Sequence, residues 1–158
     1  MNYWILIAAP DKWFGENSEE NAKVNDALLN LTIQPWRVRE DYFNNANIGD
    51  KCLIKIGKDT RSIARRTLKN GEVVDLLESG IYALGEINRK LYFDEIGECY
   101  RVDVKITENL FKLNILIDAE MAENILNNDF STMSSKKIDE KKYNHILSII
   151  EIKKDTNF

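Results

Sequence analysis

The chain holds one histidine, His145, and two cysteines, Cys52 and Cys99. A structural zinc site normally takes four ligands from these two residue types at short spacings. The cysteines here lie far apart and the histidine stands elsewhere, so no metal site is expected. His145, between Tyr143 and Ile146, reads as a helix-surface or cap residue. No G-x-S-x-G elbow, P-loop or dinucleotide fingerprint occurs. Asp94, Glu95 and Glu98 could serve as a general acid–base pair, but their position before an alternating strand reads as a solvated turn. Bond-breaking chemistry has no evident constellation, and the expectation is a protein that is not an enzyme and uses no cofactor. The enzymatic alternative is a nucleotide or acyl substrate held in a barrel cleft.

Binding chemistry is better represented. Trp4 alternates within the first apolar run and reads as core. Trp13 follows that run in a loop with Pro10 and Asp11, where burial is less automatic. Trp36 follows Pro35 and is succeeded by Arg37 and Arg39. An aromatic ring beside arginines can stack a base while the arginines hold phosphates. The same ring could plug the end of a barrel, and both readings stand. Lys58, Arg61, Arg65, Arg66 and Lys69 crowd into twelve residues against one acid, Asp59. They read as phosphate contacts, with a solvated face as the alternative. The net charge is −4, so nucleic acid would have to meet a local patch.

The elements that must position these groups can be read from periodicity. At 158 residues the chain is about one domain long, read as a single domain over 1–153 with a tail at 154–158. No apolar run of about 18 residues exists, so no membrane span is expected. The N-terminus lacks a basic n-region. The two cysteines sit in apolar or alternating stretches and read as buried reduced thiols, which fits a cytoplasmic protein.

Tyr3 to Ala9 reads as a buried strand ended by Pro10. Ser18 caps an expected helix to about Leu31, with Val24, Leu28 and Leu31 on one stripe. Trp36 to Val38 is a short extended piece. A turn at Ile48-Gly49-Asp50 leads into a strand from Cys52 to Ile56. The basic stretch Lys58 to Gly71 is an insertion with a short helix around Ser62 to Leu68. Ser79 to Ile87 and Tyr100 to Ile106 alternate as strands. Leu110 to Ile117 reads as a further strand, paired with the preceding one through a Glu108-Asn109 turn. Asp118 caps a helix from Ala119 to Leu126, and Asp139 caps a last helix with Tyr143, Ile146, Leu147 and Ile150 on one stripe. Runs of strands without regular βαβ alternation imply an α+β barrel with about three helices outside about five or six mostly antiparallel strands.

Tyr3-Trp4-Ile5-Leu6-Ile7-Ala8-Ala9-Pro10, Trp36-Arg37-Val38, Ile48-Gly49-Asp50-Lys51 and Ser79-Gly80-Ile81-Tyr82-Ala83-Leu84-Gly85-Glu86-Ile87 occur in an order that resembles EVE domains of the PUA-like superfamily. The match runs from Tyr3 to about Ile87, and its most specific part is the last segment. Gly80 and Gly85 suit places where a strand curves or another backbone comes close. The resemblance implies a PUA-like barrel similar to YTH domains and a reader of modified bases. A methylated or hydroxymethylated base would be flipped into an aromatic pocket.

By that resemblance the pocket comprises Ala8, Ala9, Pro10, Trp13, Trp36, Arg37, Val38, Ser79 and Gly80. The segments look most like the DNA-reading domains of modification-dependent restriction systems. The implied partners are modified double-stranded DNA, with RNA as the alternative, and a GTPase or nuclease subunit. Two departures stand out. The basic insertion replaces a short link between the middle strands, and Ala8-Ala9 stands where many members have Lys-Ser. Hydrogen bonds from that corner would therefore come from backbone groups.

Overall fold

A computed structural model describes residues 1–10 and 33–157; the expected helix from Ser18 to Leu31 and Trp13 lie outside them. Strand β1 (Tyr3–Ala8) pairs in parallel with β3 (Lys51–Ile56), Tyr3 opposite Lys51 and Ala8 opposite Ile56. Strands β3, β4 (Gly80–Asp94) and β5 (Cys99–Asn109) are successive antiparallel neighbours. Strand β2 (Ile33–Arg37) forms the edge beyond β5, and β7 (Lys136–Ile138) the edge beyond β1. A two-residue β6 (Ile117–Asp118) pairs with the start of β4.

Strands β1 and β3 are buried on both sides, and their alternation shows which residues face which core. Trp4, Leu6 and Ala8 of β1, with Cys52, Ile54 and Ile56 of β3, join an inner core that also holds Trp36, Val102, Val104 and Ile106. The intervening Ile5 and Leu53 face an outer core with Phe130, Tyr143, Ile146 and Ile150 from the helices. The sheet curls around the inner core. Although β2 and β1 stand at separate places in the strand order, the Trp36 indole Nε1–H donates to the Ile7 carbonyl at 3.1 Å. A side chain, rather than a ladder, links these strands. The result is the expected α+β barrel, with one parallel pair.

The helices are α1 (Glu40–Phe43), α2 (Ala119–Leu126), α3 (Asn128–Ser131) and α4 (Glu140–Asn157), among the described residues. The Asp118 carboxylate accepts from Met121 N–H at 2.9 Å, a side-chain N-cap. Tyr143 N–H donates to the Asp139 carbonyl at the start of α4. Helix α4 continues through residues 154–157, read from sequence as a tail, and Lys154 within it pairs with Glu108 and Glu151. No described helix is long and apolar enough to cross a membrane.

Three other expectations need correction. The strand expected from Leu110 to Ile117 is a turn followed by the short β6, which pairs with β4 rather than β5. The helix expected around Ser62 to Leu68 is a single 3-10 turn, Ala64–Arg66. The alternation expected along Ser79 to Ile87 is broken by a bulge. Ile54 pairs with Ala83 and Lys55 with Ile81, so Tyr82 is the extra residue, and both Tyr82 and Ala83 enter the inner core.

Candidate nucleic-acid interface

Parallel pairing places the C-terminal ends of β1 and β3 side by side. Gly57 N–H donates to the Ala8 carbonyl at 2.9 Å, continuing the pairing past the strands. Beside this corner Ser79 Oγ donates to the Ile56 carbonyl at 3.0 Å, tying the start of β4 to the end of β3. On the far side, Trp36 of β2 lies opposite Val102 of β5, and Arg37 opposite Arg101. These segments surround a cleft at one end of the barrel. Ala8, Ala9, Trp36, Arg37, Val38, Ser79 and Lys58 all line it. The fold thus brings these residues, far apart in sequence, around one cleft.

Several expected members do not line the cleft. Pro10 is buried beyond the end of β1. Gly80 sits under β6, where a Cβ would come 2.5 Å from the Ile117 carbonyl oxygen. Its role is the close approach of two backbones. The basic insertion also departs from expectation. Arg61 is wholly covered and pairs with the equally covered Asp59, Nη2 to Oδ2 at 2.8 Å and Nε to Oδ1 at 2.9 Å. Asp59 also accepts from the backbone N–H groups of Arg61 and Leu77. Burial would raise the Asp59 carboxyl, but the Arg61 guanidinium and these N–H donors hold it below the usual range. Arg61 is therefore an internal clamp, with no surface to offer a phosphate. Arg66 donates to the Val74 and Arg61 carbonyls and closes the insertion on itself. Arg65 and Lys69 do not line the cleft, and only Lys58 of this set does.

Sequence reading missed other members. Tyr100 is the first residue of the inward-facing row Tyr100, Val102, Val104 and Ile106. The later three are buried, while Tyr100 is half-buried and lines the cleft. Val38 N–H donates to its carbonyl at 3.0 Å, and its ring meets Phe93 edge-on at 5.2 Å. The alternation did signal this row; what it could not signal is that the barrel ends there. Trp36 is only 6% exposed. It is at once the plug and the inner wall, whereas Tyr100 offers ring surface at the mouth.

The cleft lining carries five cations, Arg37, Arg39, Lys55, Lys58 and Arg101, against four carboxylates, Glu40, Asp41, Glu98 and Glu123, a local excess of positive charge in an acidic chain. Arg39 is held by Asp41, and Arg101 Nε by Asp94 at 2.8 Å. Arg37 and Lys58 are exposed. Arg37 and Arg101 are like charges directly opposite on paired strands, an arrangement that weakens a sheet. Asp94 also accepts from Ile96 and Gly97 N–H groups. The Arg101 hydrogen bond, with these donors, holds its carboxyl below the usual range. The Asp94 turn is thus a structural one. His145 is an exposed residue of α4, and Cys52 and Cys99 are buried free thiols, the Cys52 thiol pushed well up by burial.

Solved structures of similar shape cover nearly the whole chain. A hypothetical protein from Leishmania major matches with a TM-score of 0.65 at 17% identity, over 98% of this chain and 97% of that one. Human THYN1, solved in complex with 5-methylcytosine-containing DNA, matches with a TM-score of 0.59 at 13% identity, over 96% of this chain and 98% of that one. The DUF55 domain of human thymocyte nuclear protein 1 matches with a TM-score of 0.56 at 13% identity, over 95% and 99%. The chain shares their fold. No family model matches the sequence, and no curated protein does. The shared fold is the PUA-like α+β barrel, and its cleft is built here by residues from β1, β2, β3 and β5.

Proposed function

We propose that this protein reads a modified base in DNA, taking a methylated or hydroxymethylated base out of the duplex into the cleft at the end of the barrel. The observation that carries the reading is the meeting of Trp36 and Tyr100 at the barrel mouth with Arg37, Lys58 and Arg101 around them. A flat apolar ring can stack any base face, and cations beside it hold the backbone. The human THYN1 protein, of the same fold, was solved with 5-methylcytosine-containing DNA, which supports DNA as the partner. Unstacking a base costs a few kcal/mol, and stacking returns roughly 1–3 kcal/mol. One buried methyl contributes about 0.8 kcal/mol, so preference for the modified base is only about fourfold unless an unpaired polar edge penalises the plain base.

The role is binding without catalysis, and no step of it calls for a cofactor. As the recognition module of a modification-dependent restriction system, the protein would pass the signal to a GTPase or nuclease partner. The test is a fluorescence anisotropy panel of duplexes carrying 5-methylcytosine, 5-hydroxymethylcytosine, N6-methyladenine or no modification, with structured RNA alongside. Tighter binding to at least one modified duplex than to the plain duplex and the RNA is the expected result. Equal binding to all duplexes, or tightest binding to RNA, overturns it.

A further inference from the structure

Lys55 is the cation that the fold explains least. On β3 the inward positions are Cys52, Ile54 and Ile56, so Leu53 and Lys55 face outward. Leu53 is covered by the helices, and Lys55 is nearly covered as well, at 7% exposure. Its Nζ donates to the Phe130 carbonyl and lies 4.3 Å from the centroid of the Phe130 ring. An ammonium has three N–H donors. One carbonyl and one ring face are what the described residues provide. Among the described residues no carboxylate lies within ion-pairing distance of Lys55. Among the described residues the acid acting on it is Glu123 of α2, and burial still pulls the amine below its ordinary range. Buried lysines are ordinarily paired, because an unpaired charge away from water is costly. Leu53 shows that this face accepts an aliphatic residue, so packing does not call for a cation.

The place of Lys55 suggests what completes it. Lys55, Phe130 and Glu123 line the same cleft as Trp36. Lys55 lies on the outer side of β3 facing Phe130 of α3, with the exposed Glu123 of α2 nearby, whereas Trp36 belongs to the barrel interior. Lys58 follows three residues later, exposed, on the same cleft. The cleft therefore has an inner limb with aromatic walls and an outer limb with a buried ammonium and an exposed one near its rim.

We infer that Lys55 binds a phosphate group, and that this group is a backbone phosphodiester next to the base held at the barrel mouth. The inference rests on the base-reading role proposed above and assigns a phosphate to its outer limb. An oxyanion supplies acceptors that the protein leaves out, and the covering Phe130 strengthens the contact by excluding water.

The test uses Lys55→Met, which keeps an unbranched side chain of similar length, and Lys55→Arg. Binding is measured to duplexes in which single phosphates around a 5-methylcytosine are replaced by neutral methylphosphonates. The wild type is expected to lose about tenfold in affinity at one such position, and Lys55→Met to lose nothing further there. Lys55→Met should also lower the slope of log affinity against log salt by about 0.9, for modified and plain duplex alike, and Lys55→Arg should retain it. The thermal midpoint of Lys55→Met should hold or rise, because a desolvated charge is removed. Methylphosphonates that weaken wild type and Lys55→Met by equal factors, or a fall in the midpoint with an unchanged salt slope, would overturn the inference and mark Lys55 as structural. Free 5-methyl-dCMP that binds as tightly as the duplex, and loses that affinity in Lys55→Met, would assign the site to a free nucleotide and overturn the backbone assignment. The base-reading role fails separately, if the wild type binds modified and plain duplex equally. The methylphosphonate comparison on plain duplex still decides Lys55 in that case.

Discussion

Trp36 and Tyr100 divide between them the two readings that the sequence allowed for one aromatic. Trp36 is buried, packs into the inner core and donates to the Ile7 carbonyl across the barrel. Trp36→Ala should cost roughly 3–5 kcal/mol of folding stability, as large core truncations do, and a denaturant titration measures it. Trp36→Phe should stay folded, losing the hydrogen bond at about 1 kcal/mol and part of the packing. Tyr100 has ring surface to offer at the mouth. Tyr100→Ala should leave the fold largely intact and weaken modified duplex by roughly 1–3 kcal/mol, or about 5- to 150-fold. An anisotropy titration with a parallel melt separates the two roles.

Asp59 and Arg61 were legible as neighbours but not as a buried pair. Sequence spacing shows that they can meet, and only the closure of the insertion shows that both are covered. Asp59→Asn should destabilise the protein by about 3–5 kcal/mol at neutral pH, since the covered Arg61 guanidinium loses the opposite charge of its Asp59 partner. The folded carboxyl lies below its ordinary value. Its contribution is therefore present above about pH 3.9 and is lost as pH falls through the folded value. The gap between wild type and Asp59→Asn should hold from pH 7 to about pH 5 and close in strong acid, as read by urea melts across that range.

Among elements, those with long one-sided or two-sided patterns were readable in advance. The apolar run of β1, the strand after the Gly49 turn and the stripe of α4 each carry enough repeats to set a face, and the inward row of β5 does the same. Gly49 has φ +93°, the conformation that turn requires. What escaped was long-range. Strand β6 is two residues long and is defined by its partner β4, which no local periodicity encodes. Lys55 occupies an outward position that local pattern assigns to solvent; the covering Phe130 comes from a helix 75 residues away. Gly80 shows the reverse case, a glycine expected at a close backbone approach and found there. Gly80→Ala would drive a Cβ to 2.5 Å from the Ile117 carbonyl oxygen. It should destabilise the protein by roughly 1–3 kcal/mol through forced separation of β4 and β6, seen as a lower thermal midpoint.

At the scale of the whole molecule, an acidic chain with net charge −4 presents a cleft with slightly more cations than acids. Binding to DNA should therefore be modest in affinity and moderately dependent on salt. Arg37, Lys58 and Arg101 are the rim cations, so the slope of log affinity against log salt should be about −2 to −3, steepened by about one more contact if Lys55 engages. Replacing Arg65 and Arg66 with Ala should leave that slope unchanged, because neither lines the cleft. The central claim concerns the base itself. It is tested most directly with a duplex in which 2-aminopurine stands beside the modified base and reports its unstacking. On adding protein, fluorescence should rise for the duplex carrying the recognised modification, and much less for the plain duplex at equal occupancy. Tight binding with unchanged fluorescence on both would contradict extrusion of the base into the cleft.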